Sequence, residues 1–423
     1  MSAVDTGAQR ASRDHATPSI ADPSSDPAPS RTPDRTAGRA SAAGRSWRPR
    51  RPNSRPNSRS LSVLAGTVLA LSAAFGPWSA PLAAGATGDY LLMPKAELLA
   101  RPVTGSAWTA LKAVADGSFS KPNLCDQNSK HNLQTLAAAL VYARTGIASY
   151  QAKAQAAIMA ALPTQVVGCS NATLALGRLL TAYVLAADLS SLRTSSSGPA
   201  FATWLSAIRT KNIGGHSIWT SIRYTHENSP NNWGAYAGAS RIAADRYLGD
   251  ATDLAAATKV TQGFLGDRTA YAGFNQNLTA EKLSWSCSGS VATYTPVNPA
   301  CTKSGINVDG GVISDVSRGG SLRWPPPDPG IPYQLDAIQG LGLQVELLYR
   351  GGSSTAWSWS SSALKRMAGI VTRSAASGGT GWNGTQTARQ MPWLLNKRYG
   401  LGLPTSPTGI GRAIGFTDWL YGP

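Results

Sequence analysis

The chain has 423 residues, with 39 Lys+Arg against 22 Asp+Glu and a formal net charge of +17. It is 42% apolar and 14% charged and carries 13 Trp, which excludes a wholly disordered protein. One apolar stretch approaches membrane length, so a polytopic membrane protein is excluded too.

The charge is uneven. Residues 1–86 hold 11 Arg and 5 Asp, and the remainder holds 28 Lys+Arg and 17 Asp+Glu. The part expected to fold is therefore basic in its own right, which points to an anionic partner. Residues 1–60 are rich in Ser, Pro, Ala and Arg, without apolar periodicity. They are expected to form a disordered basic leader. Residues 61–86 complete the pattern of a secretory signal: a basic run from Arg45 to Arg59, an apolar run from Leu61 to Gly76, then the small-residue site Ala84-Gly85-Ala86. The expectation is a secreted, extracellular protein, with no stable membrane association after cleavage.

All four cysteines, Cys125, Cys169, Cys287 and Cys301, follow the signal. An even count in an exported chain suggests two disulfides, in any of three connectivities. Nearest-neighbour pairing gives Cys125–Cys169 and Cys287–Cys301. No Cys/His group has zinc spacing, and neither metal nor cofactor is expected.

The elements that follow read as helices. Apolar residues recur at helical spacing over His131–Arg144, with a glycine stop at Gly146. Similar segments cover Tyr150–Leu162, Thr173–Leu189, Ala200–Thr210, Pro230–Leu248, Thr252–Phe264, Pro332–Tyr349 and Ala356–Thr372. Strand-like alternation is scarce. Helical hairpins over more than 300 residues predict an all-α fold for 87–423, an incomplete α/α toroid. Residues 266–330 stand apart as a long irregular region, rich in Ser, Thr, Gly and Pro, that a Cys287–Cys301 bridge would clamp.

Two stretches can carry chemistry. In the first, His226 to Asp250, Ser229 and Pro230 form a helix-start signal, with Asn231, Asn232 and Trp233 in the first turn. Free N–H groups there suit a carboxylate. Tyr236 shares a face with Asn232. The bland alternative is that Asn231 only caps and Trp233 only packs. In the second, Asp309 to Leu341, Arg318 precedes two glycines, Arg323 and Trp324 precede a proline-rich bend, and Tyr333 opens the next helix. An arginine fork binds carboxylates, and a nearby tyrosine can transfer protons. Alternatively, Arg318 pairs with Asp315 on the surface.

These stretches carry a resemblance. Asp126–Gly146, Asn231-Asn232, and the order Asp309-Gly310, Arg318-Gly319, Leu322, Tyr333 resemble the alginate lyase family of secreted bacterial polyuronate lyases with α/α toroid folds. The resemblance implies β-elimination on a uronic-acid polymer. Asn232 would neutralise the substrate carboxylate, Tyr333 would move the proton, and Arg318 would hold the substrate and lower the tyrosine pKa. Where the mannuronate lyases have His after Asn-Asn, this chain has Trp233, and Trp324 to Ile331 look inserted. His226 is then the candidate to supply the imidazole. Asn231, Trp233, Tyr236, His131, Arg323 and Trp324 are candidate substrate contacts, and His216 is assigned a structural or surface role. The implied partner is an anionic polysaccharide such as alginate or glucuronan, acted on by a monomer.

The rival enzyme is an α/α-barrel glycoside hydrolase, which needs two facing carboxylates. Glu227, Asp309, Asp315, Asp328 and Glu346 are available, with Glu346 expected to face solvent. The rival outside catalysis is a polysaccharide-binding protein stacking sugars on tryptophans. Nucleic-acid binding is disfavoured, because the basic residues are scattered.

Overall fold

A computed structural model of the protein describes residues 89–423, apart from 215–218, 276 and 384. The leader at 1–60, the signal at 61–86 and His216 lie outside the described residues. At 58% helix and 2% strand, the protein is all-α.

In chain order the helices are α1 (Lys95–Leu99), α2 (Gly105–Asp116), α3 (His131–Thr145), α4 (Ala148–Ala161) and α5 (Ala172–Leu189). Then come α6 (Gly198–Ile208), α7 (Ile222–Asn228), α8 (Asn232–Leu248), α9 (Ala251–Leu265), α10 (Ala280–Trp285) and α11 (Ile313–Val316). The last are α12 (Gly330–Arg350), α13 (Trp359–Ala376), α14 (Gln386–Tyr399) and α15 (Thr417–Tyr421). A two-stranded hairpin, β1 (Thr302–Lys303) and β2 (Ile306–Asn307), lies within the irregular region.

Helices α3, α5, α8 and α12 are buried on nearly every side. Their buried faces combine apolar side chains, small residues where neighbours meet, and polar groups such as Arg241 and Glu346 that are paired inside. Gly340 shows why small residues are needed: a Cβ there would stand 2.5 Å from the Ala235 carbonyl carbon, so only glycine lets α12 cross α8 this closely. Helices such as α2 and α13 instead bury one face. Packing runs from α2 to α3, α3 to α5, α5 to α8, α8 to α12, α12 to α14 and α14 to α15, and α15 packs back on α2. The return is stitched by Arg101, whose Nε donates to the Trp419 carbonyl at 2.7 Å, and by Trp419 Nε1, which donates to the Pro102 carbonyl at 2.8 Å.

The central helices run in one sense. Early residues of α5, α8, α12 and α14 meet at Asp336, and late residues of α8 and α12 meet where Arg246 Nη1 donates to the Leu347 carbonyl at 2.8 Å. Helix α5 is long and apolar enough to cross a membrane, but it lies inside this core.

The cysteines pair as nearest neighbours, Cys125–Cys169 with Cα atoms 5.5 Å apart and Cys287–Cys301 at 6.2 Å. The second bridge sits in the irregular region, which is nonetheless packed: Trp285, Tyr294, Val297, Val308 and Val312 are buried.

Three expectations are corrected. Helix α8 begins at Asn232, not Pro230, because Asn231 is the cap: its Oδ1 accepts from the backbone N–H of Trp233 at 3.0 Å and of Gly234 at 3.4 Å. Glu346 does not face solvent. It is fully buried and pairs with Arg350 at 2.9 Å and Arg398 at 2.5 Å, because the end of α12 is covered by α14. Asp315, placed on the surface as a partner for Arg318, is likewise fully buried.

Candidate active site

The start of α8 borders a cleft of about 300 Å³ lined by Trp219, Asn228, Ser229, Asn231, Asn275, Asn277, Lys282 and Ser314, among others. Four amides, a hydroxyl pair, an indole and one ammonium group make a wall suited to a polar, anionic ligand. Trp219 is held by the bond from its Nε1 to Ser229 Oγ, 2.8 Å, and by the Trp233 ring, centroid to centroid 4.2 Å. Asn275 is tied to α7 through its N–H and the Asn228 carbonyl, 2.9 Å. Lys282, in the first turn of α10, donates to the Asn277 carbonyl at 2.9 Å. Burial first, and then the Arg318 charge, push the Lys282 ammonium below its usual value, while Asp315 pulls it up.

Behind this wall lies Asp315. Its Oδ1 accepts from the Asn232 backbone N–H at 3.3 Å, and its Oδ2 has no hydrogen-bond partner among the described residues. Burial pushes the carboxyl well above the usual range, and the Arg318 guanidinium and the Asn232 N–H pull the other way. The Arg318 guanidinium in turn lies over the Tyr333 ring, 5.0 Å from its centroid. Tyr333 is 6% exposed, at the start of α12. The Asn232 side chain is fully buried, and neither its Oδ1 nor its Nδ2 has a hydrogen-bond partner among the described residues. A buried amide in that state normally costs on the order of 1–3 kcal/mol, so such groups concentrate where a ligand completes the bonding.

Beneath this group is a second polar centre, built on Asp336. Its Oδ1 accepts from Tyr236 Oη and from Thr387 Oγ1, each at 3.0 Å, and its Oδ2 accepts from Arg178 Nη2 at 2.6 Å. Arg178 also donates to Gln127 Oε1 at 3.0 Å, which fastens the segment before α3 to the same point. Asp315 and Asp336 repel electrostatically, which links the two centres.

The sequence candidates therefore separate. Asn232 and Arg318 flank Asp315, Tyr333 lies under Arg318, and Asn231 lines the cleft as the helix cap. Trp233 is 4% exposed and backs Trp219. Tyr236 is wholly buried, and burial pushes its phenol well above the usual range, with Asp336 adding to it. His226 is fully buried inside α7, packed with Gln344 over Gly238, and burial holds it well below the usual imidazole value. It therefore offers no exposed imidazole to the cleft. His131 is 3% exposed, its Nδ1 is 2.7 Å from Tyr183 Oη, and burial lowers it to about 4. Arg323 is exposed. Trp324 lines a different cleft, which shares no wall residue with the first.

Sequence reasoning missed Lys282, Trp219, Asn275 and Asn277. They lie on loops and a six-residue helix, and no local spacing ties them to Asn232; the signal was only that 266–330 is a long irregular region. Among the described residues no group of three or more His, Cys, Asp or Glu could hold a metal ion. No family model, no curated protein and no solved structure matches the chain.

Proposed function

We propose that the protein is an exported polysaccharide lyase, with the α/α toroid build, that cleaves a uronic-acid polymer by β-elimination. One observation carries this reading: a buried, unpartnered amide (Asn232) and a guanidinium stacked on a phenol (Arg318 on Tyr333) stand around one carboxyl, behind an amide-lined cleft that holds Lys282. The ring of packing that closes from α15 to α2 supports the toroid, and two disulfides suit an oxidising compartment.

The chemistry follows from the substrate. The proton on carbon 5 of a uronate becomes removable once its carboxylate is neutralised, because negative charge then spreads onto the carboxylate oxygens. Lys282 on the cleft wall supplies that neutralisation, with the buried Asn232 amide behind it. The Tyr333 phenolate takes the carbon 5 proton. The electron pair forms the carbon 4–carbon 5 double bond and expels the glycosidic oxygen, which recovers the proton from the Tyr333 hydroxyl. Arg318 over the ring stabilises the phenolate form.

The test is to incubate the protein with alginate, glucuronan and hyaluronan and to follow the ultraviolet absorbance of the unsaturated uronate. Absorbance rising with one polymer is expected. New reducing ends without absorbance would instead support the hydrolase, which Asp315 favours as a carboxyl that burial pushes well above its usual range. Against it, both oxygens of Asp336, the carboxylate coupled to Asp315, are already engaged. Binding without either signal would leave a polysaccharide-binding protein.

A further inference from the structure

The irregular region and the end of α13 enclose a second cleft, of about 370 Å³, lined by Gly305, Ile306, Asn307, Trp324, Arg373 and Ser377, with Ala376 beside them. Its walls are organised. The Cys287–Cys301 bridge pins the start of the β1–β2 hairpin, which supplies the first three residues. Trp324 is half-buried, and its Nε1 donates to Ser377 Oγ at 2.8 Å, which fixes the indole plane. Arg373 Nη2 donates to the Asp309 carbonyl at 2.7 Å, while its Nε is buried without a hydrogen-bond partner among the described residues. The Asp309 carboxylate itself pairs with Arg366, 2.6 Å away. Among the described residues, no carboxylate forms an ion pair with Arg373.

We infer that this cleft is a non-catalytic subsite for a carboxylated pyranose, one uronate unit of a chain, stacked on Trp324 with its carboxylate on Arg373. An indole face takes the apolar face of a sugar ring. A guanidinium with no carboxylate partner takes an anion better than a neutral sugar. The basic balance of residues 87–423 favours the same ligand. The inference rests on the proposed function for the polyuronate alone, not for the elimination. It gives a long chain a second hold, so that local concentration at the α8 cleft rises with chain length.

The experiment is affinity electrophoresis of the full chain in gels containing alginate, glucuronan, hyaluronan or a neutral glucan, in a Tyr333→Phe background that limits turnover. Trp324→Ala and Arg373→Gln should each weaken retention by a polyuronate about tenfold, as loss of one stacking or charge contact implies. Trp324→Phe, which keeps a ring in place, should retain most of the affinity, and the neutral gel should not retard any variant. Retention unchanged in Trp324→Ala, or lost equally in Trp324→Phe, overturns the inference. If the unmodified protein generates absorbance while Trp324→Ala binds normally, the subsite fails and the lyase stands. If retention depends on Trp324 but no absorbance develops with any polymer, the subsite stands and the lyase fails. Absence of retention in every polyuronate gel overturns the subsite outright.

Discussion

The two ends of α12 solve opposite problems. At its end, Glu346 is fully buried and both oxygens are used: Oε1 by Arg350 and Arg398, Oε2 by Arg398 and the Trp357 indole at 3.1 Å. At its start, Tyr333 lies under Arg318, and the neighbouring Asn232 amide has no hydrogen-bond partner among the described residues. At one end the buried carboxylate is fully engaged, although Arg350 there borders a cleft of its own. The other concentrates polar groups whose bonding is incomplete beside a cleft. Satisfied buried charge specifies packing, whereas unsatisfied buried polarity lowers stability and persists where a ligand uses it. Under the proposed function, stability belongs to one end and binding to the other, and substitution can break that division.

The largest effect is expected at the open end. Tyr333→Phe should lower turnover about 10²–10⁴-fold, the range for removing a proton-transfer group. Asn232→Ala should lower it about 10²–10³-fold, as for one lost donor to a developing oxyanion. Asn232→Ala should not lower the midpoint of urea unfolding, because that side chain has no hydrogen-bond partner to lose among the described residues. Absorbance assays with parallel unfolding curves read both numbers. A large loss of stability in Asn232→Ala would place that amide in the scaffold.

At the Glu346 end the signs reverse. Glu346→Gln removes the charge from a buried pair with two arginines and should cost about 3–5 kcal/mol of unfolding free energy. The fraction that remains folded should turn over normally. Lost turnover with intact stability would erase the distinction between the ends.

How much of this was legible follows the same division. Helices with strong periodicity, such as Thr173–Leu189, were located within a residue, because a 3.6-residue pattern is a local property. Helix α7 escaped: seven residues give no periodic signal, and its burial comes from α8 and α9 packing on it. The order of Arg318 and Tyr333 in the chain did point to two side chains that meet. Glu346 was misplaced because a charged residue in mid-helix usually faces water, and only the tertiary arrival of Arg398, 52 residues on, reverses that. Lys282 and Trp219 were invisible for the complementary reason: their chemistry depends on which loop folds over the start of α8.

Titration offers a sharper contrast. His131, at the start of α3, is lowered by burial from 6.5 to about 4. Above pH 6.5 it is neutral folded or unfolded and leaves stability unaffected. As pH falls from 6.5 to about 4 the unfolded chain takes up the proton and the folded one does not. Stability therefore drops, by about 3 kcal/mol if the whole shift is realised. Asp188, at the end of α5, is raised by burial to about 6 and works in the opposite sense. Between about 6 and 3.8 its folded form holds a proton that the unfolded form lacks, so falling pH stabilises the fold. Urea unfolding at pH 7 and pH 4.5 separates them. His131→Gln should lose less stability on acidification than the parent, and Asp188→Asn should lose more. Identical pH dependence in all three would remove the buried titrating groups from the account.

The smallest effect is the most local. Asn231 and Asn232 are adjacent and chemically identical, yet the backbone gives them different tasks. Asn231 is in extended conformation, φ −149°, and its Oδ1 satisfies two N–H groups of the first turn of α8. Asn232 is the first helical residue, and its amide satisfies none. Removing a side-chain cap costs about 0.5–2 kcal/mol, so Asn231→Ala should lower unfolding free energy by about 1 kcal/mol. Asn231→Asp should keep the cap, and it adds a negative charge to the cleft wall, next to where the proposed lyase would neutralise a uronate carboxylate. It should therefore keep stability while raising KM for a polyuronate. Asn231→Ser keeps the cap without that charge and should restore KM. If Asn231→Asp and Asn231→Ser behave alike toward substrate, the cleft wall does not face the carboxylate, and the placement of the anion at this helix start is wrong.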